Sequence, residues 1–143
     1  MAYLSLICMR SKAHWGYDEH FLRQCLDDLT FTKSELADTD IACAVVGERP
    51  AGVAQISMSG GEACLWKLFI DPPYMGTGLG SLLFDWAVAV SKRKGAFNLT
   101  LDADPFAASF YEHKGARREG VAPSTAVPGR LLPRYIFRLQ GLI

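Results

Sequence analysis

The sequence predicts an α+β fold, a single mixed and mostly antiparallel sheet flanked by helices. Three observations predict it. Helical spacing dominates the chain before Ile41, three strand-like runs joined by short Gly/Pro turns lie between Ile41 and Ile70, and a strand–helix–strand crossover then leads to a last helix and two strands. The chain has 143 residues, enough to bury a core, and is expected to form one domain over 1–143.

Composition narrows the class. Half the residues are hydrophobic and 21% are charged, with 15 Lys+Arg against 15 Asp+Glu. This is ordinary globular usage, and the charge balance gives no reason to expect nucleic acid or a membrane as partner. Cys8, Cys25, Cys43 and Cys64 are scattered, with no C-x-x-C pair and no His at ligand spacing. No metal site is expected, and reduced thiols in the cytoplasm are the simplest reading. The apolar run Ala2 to Met9 lacks a basic leader and a cleavage pattern, so no signal peptide is expected.

The elements follow in order. Tyr3 to Met9 is too short to settle its own period; a helix continuing through Ala13 is expected, then a turn at His14 to Tyr17. Asp18 is placed to cap a second helix whose apolar face is Phe21, Leu22, Cys25, Leu26 and Leu29, and Lys33 to Leu36 adds a further turn. Ile41–Val46, Gly52–Met58 and Ala63–Ile70 read as an antiparallel meander. Asp71-Pro72-Pro73 stops the third strand. A helix from about Gly78 to Arg93 follows, with Leu79, Leu82, Leu83, Trp86 and Val90 as its buried stripe and Gly95 as its end. Phe97 to Ala103 is a strand. Asp104-Pro105 supplies an N-cap and a proline for a helix over Phe106–Lys114. A short strand at Ala116–Gly120, a loop at Val121–Leu132 and a strand at Arg134–Leu139 complete the chain.

The main chemical signal is Gly76-Thr77-Gly78-Leu79-Gly80, which follows a strand and opens a helix. Glycines let the backbone approach a ligand closely, and the first N–H groups of a helix have no internal partner, so together they suit a pyrophosphate. The same glycines equally suit a tight turn against a strand. A dinucleotide fingerprint fits less well, because its third glycine comes one residue early and the preceding strands are antiparallel. A P-loop is excluded, because no Gly-Lys-Ser/Thr follows.

At these residues the sequence resembles the GCN5-related N-acetyltransferase (GNAT) superfamily. Its cofactor motif, Arg/Gln-x-x-Gly-x-Gly/Ala after a strand and an acidic-Pro turn, reads here as Met75-Gly76-Thr77-Gly78-Leu79-Gly80 after Leu68-Phe69-Ile70-Asp71-Pro72. A second motif, Asn-x-x-Ala-x-x-aromatic/Leu-Tyr, reads as Asp104-Pro105-Phe106-Ala107-Ala108-Ser109-Phe110-Tyr111. The resemblance spans roughly residues 40 to 120. It implies acetyl-coenzyme A as cofactor, an amine of a small molecule or peptide as acceptor, and direct attack in a ternary complex, and it leaves a homodimer open. It places Leu68, Phe69 and Ile70 along the pantetheine arm, Met75 to Ser81 on the pyrophosphate, Asp104, Ala107 and Phe110 on the flanks, Lys114 near the 3′-phosphate, and Tyr111 at the sulfur as its proton donor.

Three departures stand out. Met75 replaces Arg or Gln. Asp104 replaces Asn and is ranked first as a helix cap. The family's opening strand is expected to be missing, because only ten residues precede Ser11, where the first-to-second helix region begins. Either the sheet is shortened, with a partner able to complete it, or the chain starts further upstream. Trp15, Tyr17, Trp66 and Asp102 are candidates for the acceptor pocket, with core packing as the alternative for the aromatics. Arg130 and Arg134 lie in a loop that could close over the acceptor. No base stands out among Glu62, Asp102, His14 and Glu35. Two other classes remain open: an acyl-CoA-binding relative without turnover, and a dinucleotide-binding α/β protein.

Overall fold

The computed structural model describes residues 2–139. Helix α1 (Ala2–Ala13) opens it, followed by α2 (Glu19–Gln24), α3 (Leu26–Leu29) and α4 (Lys33–Asp38). Strands β1 (Asp40–Val46), β2 (Arg49–Ser59) and β3 (Glu62–Ile70) form the meander. Helix α5 (Leu79–Arg93) crosses to β4 (Asn98–Asp102), then come α6 (Ala108–His113), β5 (Arg117–Pro123) and β6 (Leu131–Arg138). These make one six-stranded sheet in the order β1-β2-β3-β4-β6-β5, parallel only between β3 and β4. The predicted mixed, mostly antiparallel α+β architecture is therefore present. Among the described residues no strand precedes α1, which leaves the outer edge of β1 unpaired.

Two apolar layers hold the sheet. On one face Leu83, Phe84, Ala87 and Val90 of α5 and Tyr111 of α6 pack on Ala54, Ile56, Leu65, Leu99 and Leu101. On the other, Cys8 of α1, Cys25, Leu29 of α3 and Phe31 pack on Val53. At about 25 cal/mol per Å² of buried apolar surface, such layers supply most of the driving force for folding.

Several boundaries differ from the sequence reading. The single helix expected over Asp18–Leu29 divides at Cys25, whose N–H is shared between the carbonyls of Phe21 and Leu22 at 3.2 Å. Asp18 does cap α2, accepting from the Phe21 amide at 2.8 Å. Thr32 and Glu35 form a reciprocal capping box that starts α4. On α5 the buried stripe is Leu83, Phe84, Ala87, Val90 and Ser91, whereas Leu82 is 60% exposed. The helix meets the sheet along positions i, i+1, i+4, i+7 and i+8 counted from Leu83, and Leu82 falls outside that arc. The last hairpin is longer than expected. Proline residues suggested a loop, yet Val121 pairs with Pro133 and Pro123 with Leu131. A register shift between Arg118 and Val121 bulges the ladder next to Pro133, which has no N–H to give, and β5 is an edge strand.

Candidate active site

The site starts from a gap between parallel neighbours. Strands β3 and β4 pair only through Glu62↔Asn98, Ala63↔Leu99 and Cys64↔Thr100. Beyond Cys64 and Thr100 the strands continue to Ile70 and Asp102 without pairing. A bulge accompanies the divergence: Lys67 faces Gln55 and Leu65 faces Ile56 on β2, so Trp66 is an extra residue. On one side Leu68, Phe69 and Ile70 pair with Ala54, Val53 and Gly52. Their other side borders the gap, so it can take an extended chain as an added strand.

At the mouth of this wedge a 3-10 turn (Pro72–Tyr74) leads to Met75, and the glycine loop follows. Gly76 (φ 77°) and Gly78 (φ 90°) lie in the left-handed region, and a Cβ built on either meets nothing within 4 Å. The loop is thus strained for other residues yet open on its outer side. The first helical bond of α5 runs from Leu82 N–H to Gly78 O at 3.1 Å, which leaves the amides of Leu79, Gly80 and Ser81 ahead of it. Gly80 is also a packing position, since a Cβ there would lie 3.4 Å from the Phe110 ring. Thr77 is exposed, and its hydroxyl donates to the Tyr74 carbonyl within the loop. Lys114 does not project freely towards solvent as a helix-end cation would. Its Nζ donates to Ser81 Oγ at 2.6 Å and lies 2.8 Å from Asp85, which ties the end of α6 to the first turns of α5.

Tyr111 stands on α6, buried in the core layer beside α5. Its ring packs against Phe110, Phe84 and Tyr135 with centroids 5.1, 6.0 and 6.3 Å away. Among the described residues its hydroxyl has no hydrogen-bond partner. Burial, and secondarily the charge of Asp104, push its phenol above the ordinary tyrosine range. The group therefore keeps its proton at any physiological pH. Ala107 sits half-buried in the turn that precedes α6.

Asp104 gathers three chain segments. It accepts from Lys12 Nζ at 2.5 Å, from the Tyr17 hydroxyl at 3.0 Å and from the Phe106 amide at 2.9 Å. Burial alone would raise its carboxyl, but the Lys12 hydrogen bond and charge, the Phe106 amide and Tyr17 outweigh it and hold it below the usual carboxylate range. The helix-cap role ranked first for this residue is thus present, and an ion pair is added. Burial, then Asp104, push the Tyr17 phenol up to about 12. Arg130 of the loop between β5 and β6 donates to the Tyr17 hydroxyl at 2.9 Å. Tyr17 stacks on Phe21 at 4.1 Å, and Trp15 stacks on Phe106 at 5.2 Å. Both aromatics pack at a junction and also border the C-terminal end of β4.

The sheet face opposite α5 is open over β3, β4 and β6. A cavity of about 360 Å³ lies on it, lined by Glu62, Cys64, Trp66, Thr100, Asp102 and Arg134, with Ser59 and Leu101. Trp66 is 60% exposed, and its indole Nε1–H donates to Ser57 Oγ at 2.6 Å, which fixes the ring. Arg134 Nη1 is 3.7 Å from Asp102 Oδ1, a loose pair across the register of β4 and β6. Burial raises the Cys64 thiol above its ordinary value, which keeps it protonated. Of the four candidate bases, Glu62 and Asp102 meet at this cavity. Glu35 belongs to the α4 cap and lies 3.8 Å from Lys67, and His14 packs edge-on to Trp15 at 5.0 Å. Sequence reading missed Arg10, Lys12, Cys64 and Thr100. The two cations were visible as charges in an otherwise apolar helix, and the other two as same-face neighbours of Glu62 and Asp102 at period two.

A split parallel pair beside a glycine-lined helix start defines the fold class of the acyl-CoA N-acyltransferases. The chain belongs to the GNAT acetyltransferases: the family model described as Acetyltransferase (GNAT) domain matches residues 37–115, more than half of the sequence. It is similar to the ycf52-like N-acetyltransferase of Prochlorococcus marinus, 39% identical over 54 residues, which are 38% of this chain and 30% of that protein. It is also similar to the histone acetyltransferase TAP1 of Glycine max, 34% identical over 62 residues, 42% of this chain and 27% of that protein. The matches thus span under a third of these relatives. Among solved structures, the PaiA N-acetyltransferase of Thermoplasma acidophilum in complex with coenzyme A superposes with TM-score 0.74 at 17% identity, covering 96% of this chain and 91% of that one. An aminoglycoside 6′-N-acetyltransferase complexed with coenzyme A gives TM-score 0.75 at 13% identity, covering 99% and 92%.

Proposed function

We propose that this chain is an acetyl-CoA-dependent N-acetyltransferase that acts on an amine in a ternary complex. The observation that carries the reading is the wedge between β3 and β4, with free backbone at Leu68–Ile70 and the unpaired amides of Leu79, Gly80 and Ser81 at its mouth. The residues present fit the cofactor. A pantetheine arm would add as a strand along Leu68–Ile70, and the open loop at Gly76 and Gly78 leaves space for a diphosphate over the start of α5. Bound there, the cofactor supplies an acetyl thioester. Met75 contributes main chain to the loop, so its replacement of Arg or Gln leaves that cradle intact.

The chain's own groups then divide the proton work. Tyr111 keeps its phenolic proton and would supply it to the departing sulfur. Asp102, on the open face at the level of Trp66, takes the proton that the acceptor ammonium must lose. A backbone N–H between Trp66 and Ile70 serves as the donor for developing negative charge on oxygen. The free cysteines suit a reducing, cytoplasmic compartment, and the unpaired edge of β1 is where a second copy would add.

The test combines two measurements. Coenzyme A, but not NAD or ATP, is expected to raise the melting temperature, because a ligand that binds only the native state stabilises it. Acetyl-CoA with a panel of amines is expected to release free thiol. Stabilisation without thiol release would leave a binding protein without turnover, and stabilisation by NAD instead would replace the reading altogether.

A further inference from the structure

We propose that the acceptor is a free α-amino acid with a basic side chain; the proposal rests on the acyltransferase reading and assigns the substrate class of the open-face cavity. At about 360 Å³ the cavity suits a small ligand. Its charges are arranged in two places. At the level where β3 and β4 part, Asp102 and Arg134 stand 3.7 Å apart, side-chain exposures 39% and 42%, with no hydrogen bond between them among the described residues. The guanidinium fork is therefore free to take a carboxylate, and the carboxylate beside it is free to take an ammonium. An α-amino acid carries those two groups at a matching short spacing, in the reverse order. The fixed and exposed Trp66 ring borders the ammonium place and adds cation–π attraction.

The second place is Glu62, an exposed carboxylate without an ion pair among the described residues. It pairs in register with Asn98, four residues before Asp102 on β4. At ~3.3 Å per residue that is about 13 Å along the strands, a span that a long side chain and Glu62's own reach close between them. Thr100 and Cys64 line the trough between the two ends, polar but uncharged at neutral pH. A cationic side-chain end is the group that Glu62 matches. An acceptor with cations only would leave Arg134 opposed by like charge, and an apolar amine would leave Arg134 and Glu62 unmatched.

The test compares arginine with agmatine and argininamide, which lack its carboxylate, and with citrulline, which lacks its side-chain charge. Thiol release from acetyl-CoA is expected to show kcat/KM at least tenfold higher for arginine than for each of the three. Arg134→Gln is expected to bring arginine level with agmatine, and Glu62→Gln to bring it level with citrulline, while coenzyme A still raises the melting temperature of both variants. Agmatine or citrulline equalling arginine in the unmutated protein would overturn the assignment. If no amine releases thiol, the acyltransferase reading is what fails. The pocket is then decided by binding alone, read on the Trp66 indole Nε1–H NMR signal in the presence of coenzyme A: arginine shifting it at concentrations where agmatine and citrulline do not supports the assignment, and no shift with arginine overturns it.

Discussion

Replacing Asp104 by Asn separates a structural role for this position from a cofactor role. Asn is the residue of the family motif and a good helix cap, so it keeps the acceptor for the Phe106 amide and for Tyr17. The charge is lost, and with it the acceptor for Lys12, because the amide nitrogen takes the place of Oδ2. Lys12 and Asp104 have side-chain exposures of 12% and 13%, so the variant leaves a largely buried ammonium without its counterion. Removing one partner of a buried pair costs about 3–5 kcal/mol. The Tyr17 and Phe21 rings, 5.3 and 5.8 Å from Lys12 Nζ, offset part of that, so we expect a loss of about 2–3 kcal/mol. In a chain of this length that lowers the melting temperature by about 6–10 °C.

The pH dependence fixes the cause. The Asp104 carboxyl is lowered in the folded state, since its hydrogen bonds and Lys12 outweigh the opposing effect of burial. A carboxyl of that kind stabilises fully above its unfolded value and loses the contribution as pH falls through the folded one. The deficit of Asp104→Asn is therefore expected at pH 7 and should shrink steadily below about pH 4. Urea unfolding at pH 7 and in an acid series measures it, with Lys12→Met completing a double-mutant cycle. A variant as stable as the parent at pH 7 but tighter for coenzyme A would refute the ion-pair account and return the position to the cofactor.

Three further perturbations report on the same site. Tyr111→Phe should lower kcat about 100-fold while leaving the coenzyme A-induced melting shift intact, since the hydroxyl has no partner among the described residues; unchanged turnover removes its role as proton donor. Gly78→Ala places a side chain at φ 90° with open space around it, so it should cost about 1–2 kcal/mol in urea unfolding through backbone strain and weaken coenzyme A binding; an Ala variant of full stability would mean the loop rearranges freely. Ser91→Ala removes a hydroxyl that is fully buried and unpaired among the described residues, and should raise stability by about 1 kcal/mol, or about 3 °C by calorimetry; a loss instead would show that the hydroxyl has a partner.

What the sequence made legible was local. The meander, the α5 crossover and the Asp18 cap follow from period and turn chemistry within a few residues of each other. The two motifs also fall on the start of α5 and on α6, which meet where Gly80 abuts the Phe110 ring. The break at Cys25 was not legible, because Phe21, Leu22, Cys25, Leu26 and Leu29 keep helical spacing straight through it. The β5–β6 hairpin was misjudged for a different reason. Pro123 and Pro133 argue against strands only when the missing N–H must face a neighbour, and both the edge position of β5 and the bulge before Val121 relieve that demand. The acceptor face depended on register. Glu62 and Asp102 lie 40 positions apart and come to line one cavity only because Glu62 aligns with Asn98.

The same long-range logic explains why the wedge stays open. Parallel strands joined by a helix would ordinarily pair along their shared length, and here pairing stops after Thr100. The bulge at Trp66 turns β3, but a bulge alone does not prevent the ends from closing. The last turn of α1 supplies the rest. Arg10 grips Asp71, the residue after β3, through two hydrogen bonds of 2.9 and 2.6 Å. Lys12, two positions on and therefore on a different side of the helix, grips Asp104, two residues after β4. Asp71 is 5% exposed, so losing Arg10 would leave a buried carboxylate unpaired, and losing Asp104 would leave the largely buried Lys12 ammonium without its counterion. One helical turn thus fastens the two strand ends at separate points, and the gap between them is the space in which the pantetheine arm is proposed to lie.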